Sequence, residues 1–298
     1  MKIGFALPQF GGQAHEGAQV ARFAREIEAA GADSLWVGDR MFAAVDPTVG
    51  YGGGPTIPPE FNAILDPFAL LALAAGVTER VRLGTNVLVV PWYPPALLAR
   101  SLTTIDVISA GRLTPGFGIG WSPEEYQAAN VPFTARGARL DETLDALEHI
   151  WTTDPAEYRG ARVSVPRHRS ELKPVRRPHP PIHLAGFTPE SLARIGRRAQ
   201  GWLPVLMVPG PAEQADYLVQ QSEIIARHAE IAGRDPHEIA TVVRVNPAAN
   251  TTAQQIADAV HRLVDATSFD DIFVDLTYPA NTVDGALDVA ADLLKLLR

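Results

Sequence analysis

The stretch Gly111-Arg112-Leu113-Thr114-Pro115-Gly116-Phe117-Gly118-Ile119-Gly120-Trp121 contains a short apolar strand, Leu113 to Ile119, with glycines at alternate positions. Helical patterns flank it on both sides. Pro95 to Ser109 carries Leu98, Leu102 and Ile105 on one side, and Arg136 to Trp151 is faced by Leu140, Leu144, Leu147 and Trp151. An apolar strand without alternation, set between two amphipathic helices, is one buried on both faces, as in a parallel sheet.

The same alternation extends outward in both directions. Toward the N-terminus, Ile3 to Leu7 reads as a strand ended by Pro8. His15 to Ala30 reads as a helix with Val20, Phe23, Ala24 and Ile27 on one face and Gly31 at its C-terminal cap. Ser34 to Val37 is a second strand. Asp66-Pro67 opens a helix through about Val77, and Val81 to Val90 is a third strand. Toward the C-terminus, strands at Ile182–Ala185, Trp202–Leu206, Thr241–Val245 and Ile272–Leu276 alternate with helices at 189–199, 212–232, 253–266 and 284–297. Eight strands, each followed by a helix, predict an α/β fold, a closed (β/α)8 TIM barrel forming a single domain over residues 1–298. A doubly wound open sheet is the competing architecture, but Pro8-Gln9-Phe10-Gly11-Gly12 lacks its glycine fingerprint. Two stretches fall outside the repeat. Met41 to Asp66 is long and aperiodic, and is expected to fold over the mouth as a lid. Tyr158 to Pro181 is an insertion before the fifth strand, with Val163-Ser164-Val165 suggesting a small hairpin.

Composition narrows the function classes. The 298 residues are 46% hydrophobic and 20% charged, enough apolar content for a full core. A net charge of -8 argues against nucleic acid or an anionic membrane as partner. The absence of cysteine removes disulfides, thiol nucleophiles and thiolate metal sites, and the eight histidines show no metal-binding spacing. Met1 to Phe5 enters a strand pattern at once and no apolar run approaches a membrane span, so a cytoplasmic protein is expected.

In a barrel, chemistry gathers at the C-terminal ends of the strands. Glycines at the end of the fourth strand let a planar group lie against the backbone. Asp39 and Arg40, after the second strand, could orient a ligand or form a rim salt bridge. Glu124 and Glu125 could serve as acid or base, but read better as the first turn of a helix, where carboxylates offset the dipole. Trp121 either walls a planar ligand or packs under the loop. Ala185-Gly186-Phe187-Thr188-Pro189 reads either as a phosphate site at a helix start or as a plain capped loop. His183 reads as a satisfied core histidine.

Several motifs together resemble the luciferase-like monooxygenase superfamily, the flavin- and deazaflavin-dependent barrels related to bacterial luciferase. They are Glu28-Ala29-Ala30-Gly31-Ala32-Asp33-Ser34-Leu35-Trp36-Val37-Gly38-Asp39, Arg82-Leu83-Gly84-Thr85-Asn86-Val87, the stretch Gly111 to Trp121, Glu124-Glu125-Tyr126, Pro181 to Gly186 and Gly201-Trp202-Leu203-Pro204. Within the superfamily the chain looks most like actinobacterial coenzyme F420-dependent oxidoreductases. The resemblance implies a cofactor across the barrel mouth, F420 or alternatively FMN, and a hydride exchanged with a small-molecule substrate. It implies a non-prolyl cis peptide at Asn86–Val87, bulging against the cofactor ring. At that mouth, cofactor contacts are expected from Asp39, Asn86, Val87, Gly118, Ile119, Gly120, Ala185 and Gly186, and a substrate-binding or catalytic role from Arg40 and Trp121. A homodimer is expected from the family, as is a separate reductase if the cofactor is FMN.

The sequence departs from the pattern twice. Many members carry histidine after the aspartate, where this chain has Arg40, whose guanidinium stays protonated and cannot exchange protons. That departure keeps open a catalytically silent flavin-binding barrel. Pro115 interrupts the fourth strand where a ladder donor is expected, predicting a local irregularity before the glycines.

Overall fold

The computed structural model describes residues 1–298. Eight strand positions form a ring: β1 (Lys2–Ala6), β2 (Ser34–Val37), β3 (Arg82–Thr85 and Leu88–Val89) and β4 (Leu113–Thr114 and Gly116–Gly118), then β5 (His183–Leu184), β6 (Gly201–Trp202 and Val205–Val208), β7 (Ala240–Thr241 and Val243–Pro247) and β8 (Asp271–Val274). All pair in parallel with the next in sequence. β3 meets β4 twice, at Leu83↔Leu113 near the base and Leu88↔Phe117 near the top. β4 meets β5 at Gly116↔His183, and β5 meets β6 at Leu184↔Trp202. β6 runs along β7 through Val205↔Arg244, β7 along β8 through Val243↔Ile272, and β8 closes on β1 through Ile3↔Ile272. The ring is the expected (β/α)8 barrel.

The helices are α1 (Gly11–His15), α2 (Val20–Ala29), α3 (Pro67–Val77), α4 (Pro95–Ile108), α5 (Pro123–Ala128), α6 (Arg136–Thr152), α7 (Pro189–Arg198), α8 (Gln214–Ile231), α9 (Ala253–Thr267) and α10 (Val283–Leu296). The helix expected from His15 begins instead at Val20. A separate short helix and a 3-10 turn precede it, with Gly17 at the break. Ends are capped as the sequence suggests. Asp66 accepts from the Ala69 N–H, and Thr188 and Ser191 form a reciprocal capping box.

Pro115 splits β4, and the side chain of Thr85 spans the gap. Its hydroxyl accepts the Gly116 N–H at 2.7 Å and donates to the Gly116 carbonyl at 2.6 Å. The irregularity is therefore stitched to β3. The second break, in β3 itself, falls at Asn86–Val87, which is cis as the resemblance implied.

The barrel lumen is plugged by Trp36, Leu203, Val242 and Phe273, all buried, with Val87 and Ala185 packed on top. Trp36 and Phe273 stack at 4.7 Å, and Ser34 accepts from the indole N–H. Glycine makes room for this plug: a β-carbon on Gly84 would collide with the Trp36 ring. The insertion holds an antiparallel hairpin, Ala156–Arg159 with Ser164–His168. Its tail docks at the turn into β4, where Val175 donates to Asp106 and Arg176 to the Gly111 carbonyl. The tail of the insertion therefore sits at the N-terminal side of β4, while its hairpin turn is held by Glu142 of α6, which accepts the N–H groups of Arg162 and Val163.

Candidate active site

At the C-terminal ends of the strands lies a cavity of about 290 Å³ to which every strand position contributes. Gln9 follows β1, and Gly38, Asp39 and Arg40 follow β2. Asn86 and Val87 bulge from β3, Gly120 and Trp121 follow β4, and Ala185 follows β5. Val205, Arg244 and Phe273 come from β6, β7 and β8, and Asp275 follows β8. The Met41–Asp66 segment closes over them, contributing Tyr51 and Phe61. Tyr51 leans on Phe61 at 5.1 Å and on Trp121 at 5.9 Å.

Two consecutive glutamates hold that lid. Glu124 accepts the Thr48 N–H at 2.8 Å, and Glu125 the Met41 N–H at 2.7 Å. Hydrogen bonds from Thr48 draw the Glu124 carboxyl down to about 2. Both residues do begin α5, as the sequence indicates, with Ser122 as the cap. The helix role does not exclude the other. Glu125 is only 1% exposed and forms an ion pair with Arg40 at 3.2 Å. Burial raises the Glu125 carboxyl and lowers the Arg40 guanidinium, each partly opposed by the other. Arg40 lies over the Trp121 ring at 4.1 Å and the Phe61 ring at 5.5 Å, so it joins lid, α5 and cavity wall.

Asp39 is buried beside them. It accepts the Val89 N–H at 2.9 Å and the Tyr93 hydroxyl at 2.9 Å. Burial outweighs these bonds and pushes its carboxyl up to about 7. Across the cavity, Arg244 donates to Asp275 at 2.5 Å. Burial lowers the Arg244 guanidinium, but the Asp275 carboxylate more than restores it, and the net shift is upward.

Of the residues singled out in the sequence, Asp39, Arg40, Asn86, Val87, Gly120, Trp121 and Ala185 line the cavity together. Gly118, Ile119 and Gly186 do not line it. A β-carbon on Gly118 would come within 2.6 Å of Val87, so that glycine admits the bulge of β3. Ile119 packs against the core and its carbonyl accepts from Tyr126. Gly186 makes room for Ser191 of the α7 cap, whose reciprocal bonds with Thr188 already occupy the helix start. His183 is buried as expected, but its Nδ1 has no partner, and burial lowers its pKa to about 3, keeping it neutral. Sequence reasoning missed Arg244 altogether. The available signal was a lone charge within the apolar run Val242-Val243-Arg244-Val245, with Asp275 at the end of the next strand.

The donor set suits a planar, carbonyl-bearing ring. The Asn86 Nδ2 and Arg40 Nε atoms are shielded from solvent without partners, and both residues line the cavity. Unpaired buried donors of this kind call for an acceptor oxygen or nitrogen. The aromatic walls and the Val87 bulge offer flat apolar faces, so a flavin or deazaflavin ring fits the residues present.

The profile of the luciferase-like monooxygenases matches residues 1–290. A phthiodiolone/phenolphthiodiolone dimycocerosates ketoreductase of Mycobacterium tuberculosis is 31% identical over 216 residues, 70% of this chain and 55% of that protein. An uncharacterized protein of the same organism is 35% identical over 161 residues, 54% of this chain and 56% of its own. The chain thus spans about half the length of the curated relatives it matches. Among solved structures, the monooxygenase RslO1 from Streptomyces bottropensis superposes with a TM-score of 0.82 at 20% identity, covering 100% of this chain and 98% of that one. An F420-dependent secondary alcohol dehydrogenase, in complex with an F420-acetone adduct, superposes with a TM-score of 0.75 at 15% identity, covering 100% and 99%. These likenesses show the fold, and the profile match over nearly the whole length shows the family: the chain belongs to the luciferase-like monooxygenases.

Proposed function

We propose that this protein is an F420-dependent oxidoreductase that moves a hydride between the deazaflavin and a small organic substrate at the C-terminal mouth of its barrel. The observation that carries this reading is the cavity in which the Asn86–Val87 bulge, Asp39 and the unpaired donors of Asn86 and Arg40 converge. The match to a ketoreductase supports it. When bound, the cofactor supplies the hydride carrier. The chain's own residues orient it and keep water out. Val87 and Ala185 rest on the lumen plug and form the floor, and Tyr51 and Phe61 of the lid exclude water. Arg40 stays protonated, and Asp39 is the cavity carboxyl able to take or give a proton near neutral pH.

An FMN-dependent monooxygenase with a separate reductase is the second reading. The likeness to an FMN-bound Baeyer-Villiger oxygenating component supports it, with a TM-score of 0.66 at 18% identity, covering 90% of this chain and 72% of that one. Parallel titrations with F420 and FMN separate the two, and tighter FMN binding would sink the first. Cofactor binding without oxidation of reduced F420 across diverse acceptors would instead indicate a catalytically silent barrel. The proposal includes a homodimer, which light scattering at working concentration would test.

A further inference from the structure

The wall of the cavity opposite Asn86–Val87 carries a second buried ion pair, Arg244–Asp275, for which the cofactor reading has no use. The Arg244 side chain is 18% exposed and Asp275 8%, and both line the cavity beside Phe273 and Val205. Each oxygen of the Asp275 carboxylate accepts a hydrogen bond, one from Arg244 and the other from the Thr277 N–H. The guanidinium makes one hydrogen bond, to Asp275, and so retains further N–H donors. Both cavity cations are matched: Arg40 pairs with Glu125 and Arg244 with Asp275, and Asp39 adds no positive charge. An anion entering here would face three carboxyl groups and find no unmatched cation. The rings of Phe10, Tyr51, Phe61, Trp121 and Phe187 also line the cavity.

From this geometry we infer that Arg244 is the specificity-determining residue of the site. It donates to the carbonyl or hydroxyl oxygen of an uncharged, ring-bearing substrate, and the Asp275 carboxylate excludes carboxylate analogues. The inference deepens the proposed function and rests on it only in placing the cofactor ring on the Asn86–Val87 side.

The test compares acetophenone with benzoate, two rings of similar size that differ in charge. Each is titrated calorimetrically into the protein with and without F420, and F420 binding is followed separately by its own absorbance. Wild type should bind acetophenone more tightly than benzoate. Arg244→Gln with Asp275→Asn removes the pair without stranding a charge, and should weaken acetophenone binding about tenfold or more, as for a lost hydrogen bond to a charged group. Asp275→Asn alone leaves Arg244 unmatched, and should turn the preference toward benzoate. A melting curve for each variant establishes that it is folded. Tighter benzoate binding by wild type, no saturable acetophenone binding, or an unchanged preference in Asp275→Asn would overturn the inference. If F420 fails to bind while the preference and its reversal hold, the cofactor reading falls and this one stands.

Discussion

Two buried carboxyl groups at this mouth sit in opposite electrostatic situations, and the difference sets what each substitution should do. Asp39 has no cation of its own, and burial lifts its pKa from 3.8 to about 7. Between those values the folded protein binds a proton that the unfolded chain has already lost. Stability must therefore fall as pH rises from about 4 to about 7, by on the order of 4 kcal/mol at most. Asp39→Asn removes this dependence while keeping an acceptor for the Val89 N–H and the Tyr93 hydroxyl. Denaturant unfolding of wild type and variant from pH 4.5 to 8 should show the variant gaining on wild type as pH rises, whereas a pH-independent difference would refute the assignment. Glu125 has a cation, Arg40, only 7% exposed. Replacing Arg40 alone by Met strands a buried carboxylate and should cost about 3–5 kcal/mol. Adding Glu125→Gln should recover most of that loss, since the pair's own net contribution is small beside the penalty of breaking it. An additive double variant in the same unfolding measurement would show that the two side chains act independently.

The elements show why part of the site was legible in the sequence and part was not. The sequence placed β4 and its glycines at the mouth because glycine and proline act on the backbone locally. What fills the space over Gly118 is not legible locally, because that atom belongs to Val87, 31 positions earlier. Only pairing of β3 with β4 brings them together. Gly118→Ala should therefore act by displacing Val87, costing about 1–3 kcal/mol as overpacking does. Val87→Ala in the same chain should relieve it, so that the double variant costs less than the sum of the singles in a thermal or denaturant series. The lid follows similar logic. Met41–Asp66 reads as aperiodic because its order comes from α5 rather than from its own pattern: Glu124 and Glu125 bind the N–H groups of Thr48 and Met41. Glu124→Ala should speed amide exchange over residues 42–50 roughly tenfold, as losing one charge-assisted hydrogen bond would. Exchange in the barrel strands should be unchanged. Uniform exchange across lid and barrel would mean that Glu124 does not hold the lid.

For the whole molecule, the eight-fold alternation was legible because the strands are short, largely apolar runs and the helices between them carry apolar stripes, which are properties of local sequence. The charged pairs inside the mouth were not, since Arg40 meets Glu125 and Arg244 meets Asp275 only after the ring closes. Closure has a thermodynamic consequence. β8 pairs with both β7 and β1, so no strand lies at a free edge and no subset of βα units has a complete set of neighbours. The lumen plug draws Trp36 from β2, Leu203 from the break in β6, Val242 from the break in β7 and Phe273 from β8, binding the two halves of the sequence into one core. Clamps at the base act in the same direction: Arg112 donates to the carbonyls of Ala75, Thr78 and Val81, tying the end of α3 to the start of β4. A chain built this way should unfold as one domain. Calorimetry at low concentration should give a single transition, with an enthalpy of about 200 kcal/mol near 60 °C, as expected for 298 residues. Its van't Hoff and calorimetric enthalpies should agree once any dissociation of a dimer is allowed for. Two resolved transitions would show that the halves of the barrel hold together separately, and that Trp36 and Phe273 pack across a boundary instead of within one core.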